Sequence, residues 1–208
     1  MLSILINISS FLTFGSVLAF ISIQFDFSTG LIGAACLIAY SLLMRQRWGA
    51  HIEATGQDIC HCEQALRIQL SAYTLLLGHL TMGLLHTDID IHIGGGTTIA
   101  IDSWVMTLAA IATEFIFKDH RKITDERDAR YSATSVIWGY RCLALMIILF
   151  AIYLALTPPS FRSHMSNFVI GNILIALTLG SYCAYISVRL LAYFSDRKFS
   201  ELHGDTHG

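Results

Sequence analysis

Apolar residues fall in long unbroken runs along this chain, not in the strict alternation of a half-buried strand or the one-sided stripe of a soluble helix. A bilayer core about 30 Å thick takes roughly 20 apolar residues per helix. Six runs approach that length, at about 2–24, 28–44, 66–86, 97–117, 134–157 and 166–192. The pattern predicts an all-α fold: a polytopic membrane helix bundle of six transmembrane helices, forming a single membrane domain over 1–208. The first run has neither the basic lead-in nor a clear cleavage site of a signal peptide, and a second run follows at once, so it is expected to be retained.

Composition strengthens this reading. The chain is 54% hydrophobic and only 13% charged, with two prolines, and its mean hydropathy is +0.60. It has too few polar residues to cover a water-soluble surface. A net charge of −2 argues against nucleic-acid binding, which needs a basic face to neutralise phosphates. The placement of charge says more. Arg45, Arg47 and Arg67 flank the second connection, Lys118, Arg121, Lys122, Arg127 and Arg130 fill the fourth, and Arg189, Arg197 and Lys198 follow the last run. Arg162 is the sole basic residue of the other connections, and Arg141 lies within a run. Basic residues near span ends stay in the cytoplasm, so the N and C termini are both expected to be cytoplasmic and the chain to sit in a bacterial inner membrane.

Cys36, Cys142 and Cys183 fall inside the runs, and Cys60 and Cys62 fall on the cytoplasmic side, where thiols stay reduced. No disulfide framework is expected. Cys60-His61-Cys62, with His51 as a fourth ligand, invites a zinc reading, but zinc sites usually space their cysteines by two to four residues. A loop that holds two thiols is the alternative.

The third connection is the most suggestive chemically. His79, Met82 and His86 share one face of a helix. Beyond them the segment His86-Thr87-Asp88-Ile89-Asp90-Ile91-His92 alternates polar with apolar residues, which in an extended chain puts His86, Asp88, Asp90 and His92 on one side. Asp102, near the outer end of the fourth run, can meet them. These seven residues are the candidate metal set: methionine and imidazole favour copper, whereas the carboxylates suit zinc or manganese. The alternative is a short, solvated turn. His79 is the hardest to set aside, because an ionisable residue deep in a span faces a partner or a cavity, although a neutral imidazole also hydrogen-bonds neighbouring helices. Haem between two helices needs histidines at matched depth on both, and here only His79 lies deep. A transition metal or haem stays open as cofactor, and none is assigned.

Glu114 and Arg141 form a candidate intramembrane charge pair across the fourth and fifth helices. The alternative is that each reaches back to the interface. Ahead of the fifth run stands Lys122-Ile-Thr-Asp-Glu-Arg-Asp-Ala-Arg130. Thr124 can cap a helix whose first turn holds acids suited to its positive dipole end, and Asp125, Glu126, Arg127 and Arg130 form a candidate cytoplasmic motif. This stretch, over about residues 122–152, resembles a family of small bacterial membrane proteins of unknown function that carry a D-E-R motif at the cytoplasmic start of a span. The resemblance implies a helical membrane protein with a regulatory role beside a cytoplasmic partner, and it implies no reaction. The four-span layout of that family is exceeded by the six runs here.

Glu63-x-x-x-Arg67 before the third run echoes Glu126-x-x-x-Arg130 before the fifth, suggesting hairpin repeats over 28–86 and 97–157, as in transporters whose sites lie between halves. The chain holds no G-x-x-x-x-G-K-[ST], H-E-x-x-H or G-x-S-x-G motif, and no catalytic residue is assigned. The leading expectation is a non-enzymatic regulatory or interaction protein that meets a cytoplasmic partner through charged segments 45–67 and 118–130. The competing one is a membrane carrier or a metal- or haem-binding protein using the outer His/Met/Asp cluster. Small residues in the last two runs, among them Gly139, Gly171 and Gly180, suit close helix approach within the bundle or in a homo-oligomer.

Overall fold

The computed structural model describes residues 2–55, 61–85, 98–116, 126–158 and 167–204, and among them it contains six helices and no strand. They are α1 (Leu2–Phe25), α2 (Gly30–Thr55), α3 (His61–Leu85), α4 (Thr98–Ile116), α5 (Glu126–Leu156) and α6 (Asn167–Gly204). The all-α bundle expected from the apolar runs is the fold. Among the described residues α1, α3, α5 and α6 are each long and apolar enough to cross a membrane, and the chain is a helical membrane protein. In α2 the apolar run gives way to Arg45 and Arg47, and α4 is the shortest helix at 19 residues.

The centre of the bundle is α3, against which α1, α4 and α6 pack; α2 lies on α4, and α5 on α6. Side-chain contacts give the directions. Ser71 Oγ donates to Asn7 Oδ1 at 3.0 Å and Ser16 Oγ to the Gly78 carbonyl at 3.2 Å, so α1 and α3 run parallel. Gly30 abuts Asp102, while Arg45 Nη1 donates to the Ile116 carbonyl at 3.2 Å, so α2 and α4 run parallel too. The pairs α3–α6 and α5–α6 are antiparallel, with Glu63 beside Arg197 and Arg127 beside Asp196. The start of α1 and the end of α6 therefore lie at one end of the bundle, together with Arg45, Arg67, Arg127, Arg189 and Arg197. We call this the basic end. The most extensive contacts are those of α1 with α3, α5 with α6, α3 with α6 and α2 with α4.

Polarity explains which helix is central. Glu63, Gln64, Ser71, Thr74 and His79 of α3 are all buried, and none of them could face hydrocarbon cheaply. By contrast α5 is apolar nearly all round its bilayer length and stands at the edge with little of it covered. The α1–α3 contact depends on two glycines. A Cβ at Gly15 would run into the Leu75 carbonyl oxygen, and one at Gly78 into that of Leu12. Backbones in direct contact gain dispersion over a long seam without needing a hydrophobic drive between helices. The α1–α2 turn has its own local signals. Asp26 takes a left-handed φ of 47°, which aspartate tolerates better than most residues and which ends α1. Thr29 then acts as the N-cap of α2, its carbonyl accepting from the Gly33 amide at 2.9 Å.

Candidate functional site

Two polar regions lie within the bundle, one towards each end. At the end away from the basic residues, Asp102 of α4 is fully buried. Its Oδ2 accepts from Ser22 Oγ at 2.9 Å and from the Thr29 amide at 2.8 Å, and its Oδ1 from Ser28 Oγ at 2.6 Å. The Gly30 amide also donates to it. The Thr29 hydroxyl, with one proton to give, lies 3.2 Å from Oδ2 and 3.1 Å from the Leu18 carbonyl. Asp102 thus caps α2 from another helix, placing a carboxylate at the positive end of its dipole. A glycine is required where they meet, because a Cβ at Gly30 would lie 2.5 Å from the Asp102 Cα.

One residue along α4, Ser103 Oγ lies 3.2 Å from His79 Nδ1 of α3. The imidazole has no exposed surface, and its Nε2 has no hydrogen-bond partner among the described residues. Either tautomer leaves one valence open: an N–H if Nδ1 accepts from Ser103, a lone pair if Nδ1 donates. A buried polar atom left in this state costs about 1–3 kcal/mol. His79 therefore contributes to the bundle something other than a satisfied hydrogen bond.

The second region begins about halfway down and ends at the basic end. The Tyr73 hydroxyl donates to Glu114 Oε1. The Tyr73 ring meets Tyr182 edge-on at 4.9 Å, and Tyr182 stacks on Tyr185 at 5.5 Å. Arg189 Nη1 donates to the Tyr185 hydroxyl at 3.2 Å, while the buried Arg189 Nε has no partner among the described residues. The Tyr193 hydroxyl donates to Asp128 Oδ1, and the Tyr193 ring meets Tyr131 edge-on at 5.2 Å. Beside this seam Glu63, buried in the first turn of α3, pairs with Arg67 at 2.8 Å and with Arg197 of α6. Arg127 pairs with Asp196 at 3.2 Å.

Of the seven candidate metal ligands, His79 and Asp102 are brought to the same level with Ser103 between them, and Met82 is half-buried one turn beyond His79. His86, Asp88, Asp90 and His92 lie outside the described residues. Among the described residues no group of three or more His, Cys, Asp or Glu side chains could hold a metal. The Asp102 carboxylate is occupied by its donors, so among the described members of the set His79 Nε2 and the Met82 thioether are the ligand atoms that remain. Cys60 also lies outside the described residues; His51 and His61 stand on α2 and α3, and Cys62 is half-buried at the start of α3.

The expected pairing of Glu114 with Arg141 does not form. The partner of Glu114 is Tyr73, whereas Arg141 is exposed on α5 with its guanidinium 5.6 Å from the centre of the Trp138 ring. The physical reason is the layout: α5 packs on α6, not on α4. Within the D-E-R stretch Asp125 lies outside the described residues, and Glu126, Arg127 and Arg130 are exposed on the first turns of α5.

Compared with protein-family models, curated proteins and solved structures, the chain gives no match. Its function has to be argued from its own residues.

Sequence reasoning passed over Asp128, Arg189, Tyr193 and the double pairing of Glu63. A signal was available: Tyr185, Arg189 and Tyr193 recur every four residues, which sets a guanidinium between two phenols on one face of α6. Asp128, in the middle of the charged motif, reads naturally as one more acid suited to the helix dipole, and nothing local marks it as the acid that turns inward.

Proposed function

We propose that this chain is a multi-pass protein of the bacterial inner membrane, with both termini in the cytoplasm, acting as an interaction or regulatory component and not as a catalyst. The observation that carries this reading is the build of the basic end. At 1.5 Å per residue, the 38 residues of α6 extend about 57 Å, well beyond a bilayer core of about 30 Å. The 26 residues of α2 and 31 of α5 also exceed it. The excess is charged, and ion pairs between Glu63 and Arg197 and between Arg127 and Asp196 tie it together. Of segments 45–67 and 118–130, the described residues 45–55, 61–67 and 126–130 belong to this end, where Glu126, Arg127 and Arg130 present charge to solvent. Basic residues on one side of the bundle favour the cytoplasm for that side, and the resemblance of residues 122–152 to membrane proteins with a D-E-R motif agrees with a partner there. Photo-crosslinking in cells from a probe at position 130 is expected to give a discrete protein adduct that Arg127→Glu removes. A probe at position 104, on an exposed part of α4, is expected to give none. Equal adducts from both positions, or none from 130, would sink the proposal.

A second reading, a membrane carrier or a metal- or haem-binding protein, is favoured by the Nε2 of His79 in the core, which has no partner among the described residues, since ionisable groups at that depth mark ion or ligand paths. Metal analysis and a visible absorption spectrum of the detergent-purified protein test it, beside a His79→Ala, His86→Ala double variant. Stoichiometric metal or a Soret band lost in the variant would establish it, and a colourless, metal-free protein would remove it.

A further inference from the structure

A groove runs between α5 and α6. At the basic end it widens to a cavity of 570 Å³ whose walls include Asp128, Ser132, Ala133 and Arg189. It continues into a second cavity of 320 Å³ along Gly139 and Ser181, with Val136 lining both. From Asp128 to Gly139 is eleven residues of α5, or about 16 Å. The apolar run of α5 begins at about 134, so Asp128 stands in the headgroup region outside the core and Gly139 lies about 8 Å inside it. The groove therefore has a charged mouth at the level of the headgroups and an apolar floor in the outer part of the acyl region.

We propose that this groove holds one phospholipid with a phosphoethanolamine headgroup. The argument rests on the two charges at its mouth. Asp128 and Arg189 line the same cavity, yet among the described residues they form no ion pair with each other. Asp128 Oδ1 takes the Tyr193 hydroxyl, whose oxygen also lies beside the Arg189 guanidinium, while Arg189 gives Nη1 to Tyr185 and keeps a buried Nε–H that has no partner among the described residues. A phosphate oxygen would satisfy that donor through a charge-assisted hydrogen bond. A purely anionic headgroup would bring its charge up against Asp128 and leave the carboxylate unanswered. A headgroup with a phosphate and, a few bonds away, a primary ammonium answers both, because the ammonium has N–H groups to donate to Asp128. A quaternary ammonium has none. The acyl chain then lies on Val136 and Gly139, where the missing side chain of Gly139 lets α5 approach Tyr185.

The test is native mass spectrometry of the full chain in mild detergent, titrated separately with dioleoyl-phosphatidylethanolamine, dioleoyl-phosphatidylcholine and dioleoyl-phosphatidylglycerol. One phosphatidylethanolamine is expected to be retained about tenfold more tightly than either other lipid. Asp128→Asn is expected to bring it down to the level of phosphatidylcholine, and Arg189→Gln to weaken both together. Ala133→Trp, which fills the groove and leaves both charges in place, is expected to abolish the bound lipid with helicity and melting unchanged, so the test survives if a charge variant misfolds. Equal retention of the three lipids, a preference for phosphatidylglycerol, or full binding by Ala133→Trp would overturn the proposal.

Discussion

The two polar regions of this bundle use the same kinds of group in opposite ways. Around Asp102, donors from α1, the α1–α2 turn and the start of α2 converge on one carboxylate, and every oxygen of it is engaged. Around Arg189 the charges are distributed along a chain of phenols, one guanidinium nitrogen has no partner among the described residues, and a cavity opens beside it. The first arrangement fixes helices; the second leaves hydrogen-bonding capacity for something from outside the chain. Buried charge alone does not distinguish structure from function in a membrane bundle. What distinguishes them is whether the group is already satisfied. His79 breaks the pattern usefully, since it lies next to the satisfied knot while its Nε2 has no partner among the described residues.

The contrast is sharpened most by removing the carboxylate that holds the knot. Asp102→Ala leaves at least three buried donors without an acceptor and is expected to cost about 4 kcal/mol, read as a large drop in thermal stability in detergent; a loss under 1 kcal/mol would mean that water replaces it. For Glu63→Gln we expect a cost of about 1 kcal/mol, because both of its arginine partners are partly solvated. The more telling readout there is trypsin cleavage at Arg197, expected to be faster once α6 is released. His79→Leu, which removes an unsatisfied atom at similar volume, is expected to change stability by less than about 1 kcal/mol in either direction. A loss as large as that of Asp102→Ala would show that Nε2 has a partner in the membrane and is part of the knot. The smallest effect is expected for Arg141→Gln, within about 0.5 kcal/mol, because that side chain is exposed and touches Trp138 alone among the contacts above.

Parts of this arrangement were open to reading from the chain. His79 and Asp102 stood out because each interrupts an apolar run, and they do lie at the same level. The Glu114–Arg141 pairing failed for a reason no local pattern holds: it assumed that helices adjacent in sequence are adjacent in space, and α5 passes α4 by to pack on α6. Ser22, Ser28 and Thr29 were ordinary small polar residues until Asp102, 73 to 80 residues later, was placed against them. Glycines 15 and 78 likewise acquire their meaning only from each other's helix.

By itself the sequence determined the membrane class, the helical character and the gathering of positive charge at one end. These follow from sums over neighbouring residues: about 20 apolar positions make a helix that can cross a bilayer wherever they occur, and charge at a helix end depends on position along the chain. The tertiary structure decided which helix is central, which acid is capped and which left turned towards a groove, and where a nitrogen is left bare. In a lipid environment apolar faces have no hydrophobic reason to choose one neighbour over another. The choice falls to glycine contacts and hydrogen bonds between residues as far apart as Glu63 and Arg197, which are 134 positions apart, and those are settled only when the whole bundle comes together.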